Sequence, residues 1–180
     1  MDQKKIHTLS GIEIHTRPLF SSKLGFFSEI YRKNNFTEAF VQDSFSVSDK
    51  KNTLRGMHFQ NKPFGQAKLV TVLSGSILDF VIDVRKNSPT FKEYASIELS
   101  RDNRKMIYIP EGFAHGFQTL EENTCVFYKL SNYYSPEHEI TLKWNDPTIG
   151  IEWEKNDAQH MSEKDKSGEL FSAIEKDLSF

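Results

Sequence analysis

Two short segments of this chain each place a histidine beside apolar or aromatic residues, between stretches typical of β-strands. Leu54–Gln60 (LRGMHFQ) contains His58, and Ile109–Phe117 (IPEGFAHGF) contains His115. An imidazole titrates near neutral pH, so either side chain can accept and return a proton. The P-x-G-x-x-H spacing of the second segment predicts a turn that delivers His115 to the mouth of a small barrel. Each histidine therefore binds a metal, moves a proton or packs in the core.

A metal site needs three or four converging nitrogen or oxygen ligands, often with two histidines one residue apart on a strand. Gln60 stands two residues after His58, and an amide is a poor metal ligand. His115 has no histidine pair to oppose it. The remaining histidines lie in polar sequence that we expect to be peripheral: His7, His15, His138 and His160. The sequence therefore predicts a site with no bound metal and no other cofactor.

A proton-transfer site needs a base, a group that orients the base, an acid and an electrophile for developing negative charge. His58 is the candidate base, and a carboxylate on its far ring nitrogen would hold the tautomer. Asp83 and Asp165 are both candidates for that carboxylate, and nothing local chooses between them. An inward Lys68 would stabilise an enolate oxygen, and Tyr128 could protonate the face opposite the base. The alternative is that these side chains only pack or face solvent, as most strand residues of these types do.

Short alternating segments with frequent turn residues must position these side chains. They predict strands over 67–73, 77–84, 93–99, 105–109, 116–120 and 124–130. Helical spacing predicts only two short helices, over 28–39 and 163–177. The expected fold is all-β: an antiparallel double-sheet jelly roll, or cupin-like barrel, with a few short peripheral helices.

Composition bounds the class of protein. The 180 residues favour one domain over 1–180, and the formal net charge of −2 comes from interspersed charges, without the basic run of a nucleic-acid-binding surface. We expect no membrane span, because no segment approaches the ~20 apolar residues that one needs. We also expect no signal peptide behind Met1, and a cytoplasmic location. The single cysteine, Cys125, is expected to be a small buried residue and not a nucleophile.

Many ordered blocks of this sequence resemble the nucleotide-sugar epimerases typified by dTDP-4-dehydrorhamnose 3,5-epimerase. The resemblance runs from about residue 12 to residue 165 and joins both histidine segments to further motifs. These are Gly25-Phe26-Phe27-x-Glu29, Gln42-Asp43, Lys68-Leu69-Val70, Val81 to Phe91, Tyr128-Lys129, Asn132 to Pro136, Trp144 to Pro147 and Gly150 to Trp153.

The resemblance implies a metal-free jelly roll that acts on a nucleoside-diphosphate 4-keto-6-deoxy sugar, without nucleic acid or membrane partners. It implies a homodimer whose N-terminal strands cross between subunits. His58 would be the base with Asp165 as its partner, Tyr128 the acid, and Lys68 the group facing the sugar oxygen. Asp83 would then be a pocket residue or lie just behind the pocket. The implied substrate contacts are Arg55, Glu29, Phe27, Gln42, His115, Tyr134, Glu139 and Lys164.

Three departures from the family pattern affect the expected nucleotide contacts. Leu24 stands where the family has a phosphate-contacting arginine, Ser44 and Phe45 replace an Asn-His pair, and Asp49 resembles a one-residue insertion. Alternatives therefore stay open: a carbon-3-only epimerase, a 3,4-ketoisomerase, another nucleotide sugar, a non-catalytic sugar-nucleotide binding module or a metal-dependent cupin.

Overall fold

The computed structural model describes residues 9–155 and 160–180, and β-strands are the main secondary structure within them. His7 lies outside these residues. The strands in chain order are β1 (Glu13–Thr16), β2 (Phe20–Ser22), β3 (Gly25–Phe27), β4 (Gln42–Ser48), β5 (Thr53–Gln60), β6 (Lys68–Ser74), β7 (Ser76–Asp83), β8 (Tyr94–Ser100), β9 (Lys105–Ile109), β10 (Phe113–Thr119), β11 (Thr124–Leu130), β12 (Glu139–Thr141) and β13 (His160–Met161).

The strands form two antiparallel sheets and a separate hairpin. The first sheet has the order β1-β9-β6-β11-β4 and the second the order β12-β5-β10-β7-β8. β13 joins the second sheet beside β5 as a parallel strand, and β2 pairs with β3 in the hairpin. The predicted antiparallel double-sheet jelly roll is confirmed, and the strands over 105–109 and 124–130 have the predicted bounds.

Apolar side chains fill two layers. Between the sheets, residues such as Val72, Val81 and Val126 are fully buried. On the outer face of the second sheet, Phe80 packs with residues of the C-terminal segment, among them Phe171. Burying apolar area in this way is the main favourable contribution to folding. The second layer matters for the site because it holds the C-terminal segment against β5.

The two predicted helices were largely wrong. Segment 28–39 forms only a 3₁₀ turn at Lys33–Asn35. Segment 163–177 is broken into α1 (Glu163–Lys166), α2 (Phe171–Ile174) and a 3₁₀ turn at Glu175–Asp177. The break occurs because Glu169 forms a parallel bridge with Leu142. The backbone N–H of Glu169 donates to the carbonyl oxygen of Thr141, and its carbonyl oxygen accepts from the N–H of Lys143. A tertiary strand contact therefore overrides the local helical spacing.

An extra residue in β5 changes which side chains face the space between the sheets. Arg55 and His58 are three positions apart, whereas their partners on β10, Phe117 and His115, are two positions apart. In a regular strand, residues three apart point to opposite faces. This bulge turns both Arg55 and His58 to the inner face.

Glycine permits the bulge. Gly56 has φ +116°, and a Cβ there would lie 2.6 Å from Cα of Gly116 and 2.8 Å from the carbonyl oxygen of His115. Both obstacles are backbone atoms, which cannot move aside as a flexible side chain can.

We expect Gly56→Ala to destabilise the protein by about 2 kcal/mol more than Gly150→Ala, because only the first combines a left-handed φ with a backbone clash. Gly150 is the matched control: its φ is +64°, and an added Cβ would have no atom within 4 Å. Urea denaturation of both variants gives the comparison. Equal losses of unfolding free energy would show that β5 and β10 can separate at this point.

Candidate active site

A polar cavity with a volume of about 370 Å³ opens between the two sheets. The first sheet contributes residues of β4, β6 and β11, the second contributes residues of β5, β10 and β12, and α1 closes one side. The lining residues are Ser44, Ser46, Arg55, His58, Gln66, Lys68, His115, Gly116, Phe117, Tyr128, Leu130, Glu139, Ser162, Lys164 and Asp165. The structure therefore brings together all four predicted catalytic residues and four of the eight predicted substrate contacts.

His58 is paired with Asp165 and not with Asp83. Its Nε2 lies 2.6 Å from Oδ1 of Asp165, whose side chain is almost fully buried. Burial opposes ionisation of Asp165, but hydrogen bonds from His58, Ser162 and the backbone of Gly56 outweigh it and lower the pKa of Asp165. An ionised carboxylate only accepts, so Nε2 carries the hydrogen and Nδ1 can take a proton.

Asp83 has a structural role at the far end of β7. It accepts hydrogen bonds from Arg85, Ser88 and Thr90, and it does not line the cavity. The expectation that it lies in or just behind the pocket was therefore wrong. Arg85, Ser88 and Thr90 follow Asp83 closely in the sequence, and their hydrogen bonds compensate for the burial of its carboxylate.

Lys68 points into the cavity, as predicted. Its Nζ donates to the carbonyl oxygen of His58 at 3.2 Å, and the residue is only 9% exposed. Burial lowers the pKa of Lys68 to about 8, although nearby Glu139 and Asp79 favour the charged form. An ammonium in this position supplies positive charge with little surrounding water to screen it.

Tyr128 lies on the first sheet, so it faces His58, on the second sheet, across the cavity. Its hydroxyl is 2.9 Å from Oγ of Ser46. Burial raises the pKa of Tyr128 well above its usual value, against the opposing influence of Ser46 and Arg55. The phenol is therefore protonated at neutral pH and able to donate.

His115 is a strand residue of β10, directly opposite His58 in the register. The turn predicted by the P-x-G-x-x-H spacing ends before it. Its Nε2 lies 2.7 Å from Oδ2 of Asp79, a fully buried carboxylate whose other oxygen has no partner among the described residues. Burial raises the pKa of Asp79, and His115 opposes that change. The sequence analysis did not predict a role for Asp79. A charged residue within the apolar run 77–84 could have indicated a buried carboxylate with a polar partner.

The rim of the cavity holds several predicted substrate contacts. Glu139 accepts hydrogen bonds from Lys164 and from the hydroxyl of Tyr134, the latter at 2.7 Å. Burial opposes ionisation of Glu139, but these two bonds outweigh it and lower its pKa. The backbone N–H of Tyr134 donates to Gln42, which ties both residues to this edge. Arg55 is exposed at this rim and donates to Oγ of Ser48 at 3.2 Å and to the carbonyl oxygen of Val47 at 3.3 Å.

Phe27 and Glu29 do not line the cavity of their own chain. Phe27 is 67% exposed on the β2–β3 hairpin, and Glu29 pairs with Arg32. Leu24 lies in the turn of the same hairpin and is fully exposed. The structure therefore does not bring these two predicted contacts to the cavity.

The other two departures from the family pattern lie on β4, at Ser44 and Phe45, and just after it, at Asp49. Ser44 faces the cavity, whereas its neighbour Phe45 points outward and is 70% exposed. Asp49 directly follows β4, in the loop that joins it to β5. Cys125, expected to be buried, is partly exposed on the outer face of the first sheet because it alternates with inward Val126.

Within residues 9–155 and 160–180, no group of three or more His, Cys, Asp or Glu side chains is placed to hold a metal ion. His15, His138 and His160 lie outside the cavity lining. In the same ranges, every helix is too short or too polar to cross a lipid bilayer.

Comparison with known proteins identifies the family. The family described as dTDP-4-dehydrorhamnose 3,5-epimerase matches residues 7–173. The chain belongs to this family. The dTDP-4-dehydrorhamnose 3,5-epimerase of Salmonella typhimurium is 45% identical over 158 residues, which cover 84% of this chain and 86% of that relative.

Solved structures of epimerases share the fold. The dTDP-6-deoxy-D-glucose-3,5-epimerase of Legionella pneumophila, in complex with dTDP-4-keto-L-rhamnose, has a TM-score of 0.89 at 35% identity and covers 95% of this chain and 93% of its own. A 3′-monoepimerase from Streptomyces bikiniensis, in complex with dTDP-quinovose, has a TM-score of 0.85 at 27% identity. That comparison covers 93% of this chain and 88% of the monoepimerase.

The burial of Lys68 predicts a measurable titration. We expect ¹³C NMR of the Lys68 side chain to show a midpoint at about pH 8, with positive charge lost as the pH rises through that value. Lys68→Arg identifies the resonance by removing it. A midpoint near the ordinary value of 10.5 would show that water reaches the ammonium freely.

Proposed function

We propose that this chain is an epimerase that inverts carbons 3 and 5 of a dTDP-4-keto-6-deoxy sugar, converting dTDP-4-dehydro-6-deoxyglucose to dTDP-4-dehydrorhamnose. The strongest support is that His58 and Tyr128 line opposite walls of one cavity. The Salmonella relative is named for this epimerisation, and the Legionella relative was solved with dTDP-4-keto-L-rhamnose.

In this reaction His58 removes the proton from a carbon beside the ketone. The electron pair of that C–H bond passes into an enolate, whose oxygen Lys68 stabilises. Asp165 stabilises the imidazolium that forms. Tyr128 donates its phenolic proton to the opposite face of the same carbon, which inverts the centre. The imidazolium then returns a proton to the tyrosinate through solvent, and both groups are restored.

The remaining polar groups would hold the nucleotide sugar. The guanidinium of Arg55 suits the diphosphate, because its planar donors match phosphate oxygens. His115, held by Asp79, would contact the sugar from the same wall as His58. The other proposed contacts at this rim are Gln42, Tyr134, Glu139 and Lys164. No cofactor or metal takes part in this proposal.

We also propose a homodimer with N-terminal strand exchange, in which the hairpin of one subunit reaches the cavity of its partner. Phe27 and Glu29 lie outside their own cavity, which supports this arrangement. The hairpin and the outer face of the first sheet also expose large apolar residues, among them Phe20, Phe26, Phe45 and Val47. Burial of exposed apolar side chains such as these would favour association of two subunits.

The hairpin also bears on nucleotide affinity. With Leu24 in place of the family arginine, one charge-assisted phosphate contact is lost, at a cost of roughly 1.5–3 kcal/mol if nothing replaces it.

We further propose that residues 1–180 form one domain and that the protein works in the cytoplasm, where a single cysteine suits the reducing conditions.

Proton exchange tests the reaction. When the protein is incubated with dTDP-4-dehydro-6-deoxyglucose in heavy water, we expect deuterium to be incorporated at carbons 3 and 5 of the sugar. NMR measures the incorporation at each carbon. His58→Asn should lower exchange at both carbons by about 10²–10⁴-fold, the usual contribution of a general base. Tyr128→Phe removes only the acid. This variant should still exchange hydrogen for deuterium on the face of the sugar next to His58, but it should no longer invert the carbon.

The same assay separates the alternatives. Deuterium at carbon 3 alone would indicate a 3-epimerase, and a 3-keto product would indicate a ketoisomerase. Binding of dTDP sugars without any exchange would indicate a binding module. Near-normal exchange by a folded His58→Asn variant would show that another group is the base.

Subunit mixing tests the exchanged hairpin. Glu29→Ala and His58→Asn are each expected to be inactive alone. Random mixed dimers should regain about a quarter of wild-type activity, because half of the dimers are mixed and each has one intact cavity. If Glu29 served its own cavity, mixing would restore nothing. Light scattering after chromatography provides the control for dimer formation.

A further inference from the structure

A second cavity, of about 190 Å³, lies beneath the β2–β3 hairpin, outside the candidate active site. Its polar lining is dominated by three arginines: Arg17, which follows β1, and Arg101 and Arg104 in the turn between β8 and β9. The remaining lining residues are Leu19, Phe26, Ser28, Ile30 and Leu73. The only other polar side chain, that of Ser28, is occupied in donating to the carbonyl oxygen of Pro18.

Arg17 is the buried member of this cluster. It is only 5% exposed, and its side chain donates to the carbonyl oxygen of Val72 at 2.9 Å. Its Nε is buried and has no partner among the described residues. Burial, together with the nearby charge of Arg104, lowers the pKa of Arg17. A buried guanidinium normally finds partners for its donors, so an unpaired Nε needs an explanation.

The other two arginines add charge without neutralising it. The guanidinium of Arg101 lies over the ring of Phe26, 5.5 Å from its centroid. The backbone carbonyl of Arg104 accepts from the backbone N–H of Arg17, which fixes the turn beside the buried side chain. Within residues 9–155 and 160–180, none of the three arginines forms an ion pair, and no carboxylate lines the cavity.

We propose that this cavity is a binding site for a phosphate-type oxyanion, held by Arg17, Arg101 and Arg104. Arginine forks match the geometry of phosphate oxygens, and an anion with about two negative charges suits three cations better than a single carboxylate does. A bound oxyanion would also satisfy the buried Nε of Arg17. Leu19, Phe26 and Leu73 form the apolar part of the lining.

A bound oxyanion would join the hairpin to the body of the protein. Phe26 belongs to β3, whereas Arg101 and Arg104 belong to the turn after β8. Occupation of the site would therefore order residues 20–27. This inference stands independently of the proposed epimerase activity, since none of the three arginines lines the active-site cavity.

The test is calorimetric titration of the full-length chain with inorganic phosphate at constant ionic strength, with chloride as the reference anion. The variant Arg101→Gln/Arg104→Asn keeps buried Arg17 intact and places at position 104 a residue that tolerates its positive φ. We expect it to bind phosphate about tenfold more weakly or worse, since each charge-assisted hydrogen bond is worth about that factor. The matched control, Arg55→Ser, alters the active-site cavity and should retain the phosphate binding.

Hydrogen exchange provides the second measurement. Phosphate should slow amide exchange in residues 20–27 of the wild type and of Arg55→Ser, but not in the double variant. Titration with dTDP then separates the sources: two molecules per chain indicate the phosphoryl group of a nucleotide, and one indicates free phosphate. Phosphate binding that is lost in Arg55→Ser and kept in the double variant, or absent from the wild type, would overturn the proposal.

Discussion

The close approach of β5 and β10 at Gly56 and Gly116 is the constraint on which the site depends. Since no Cβ separates the two backbones there, β5 can accommodate one extra residue. That residue turns Arg55 and His58 to the same face, although their spacing would send them to opposite faces of a regular strand. The phosphate-binding group and the base of the proposed reaction therefore share one wall.

The C-terminal segment completes the base. Asp165 is 107 positions beyond His58 along the chain, and it reaches the cavity because β13 pairs with β5 and Ser162 caps α1. Packing of Phe171 on the outer face of the second sheet holds the same segment in place. The site thus combines a rigid sheet with a docked segment, and the stability of that docking sets the orientation of the imidazole.

Period-two alternation predicted β6, β10 and β11 beside the site, but it did not predict β4, β5 or β12. It placed Lys68 and Tyr128 correctly because burial of one sheet face fixes the register. It could not choose Asp165 over Asp83, since the choice depends on a contact between distant segments. The helix over 163–177 failed for a related reason: the bridge from Glu169 to Leu142 is tertiary. Asp79 and Ser46 were missed because each acts through a partner on a neighbouring strand, which spacing within one strand does not reveal.

Inversion at a carbon of the sugar requires that the ring lie between an imidazole and a phenol on opposing walls. A crystal structure with a bound dTDP-4-keto-6-deoxy sugar tests this most directly. We predict that carbon 5 lies within about 3.5 Å of a ring nitrogen of His58 on one face and of the Tyr128 hydroxyl on the other, the separation of a reactive arrangement. A sugar bound with both groups on one face, or with His58 turned away from the ring, would contradict the account.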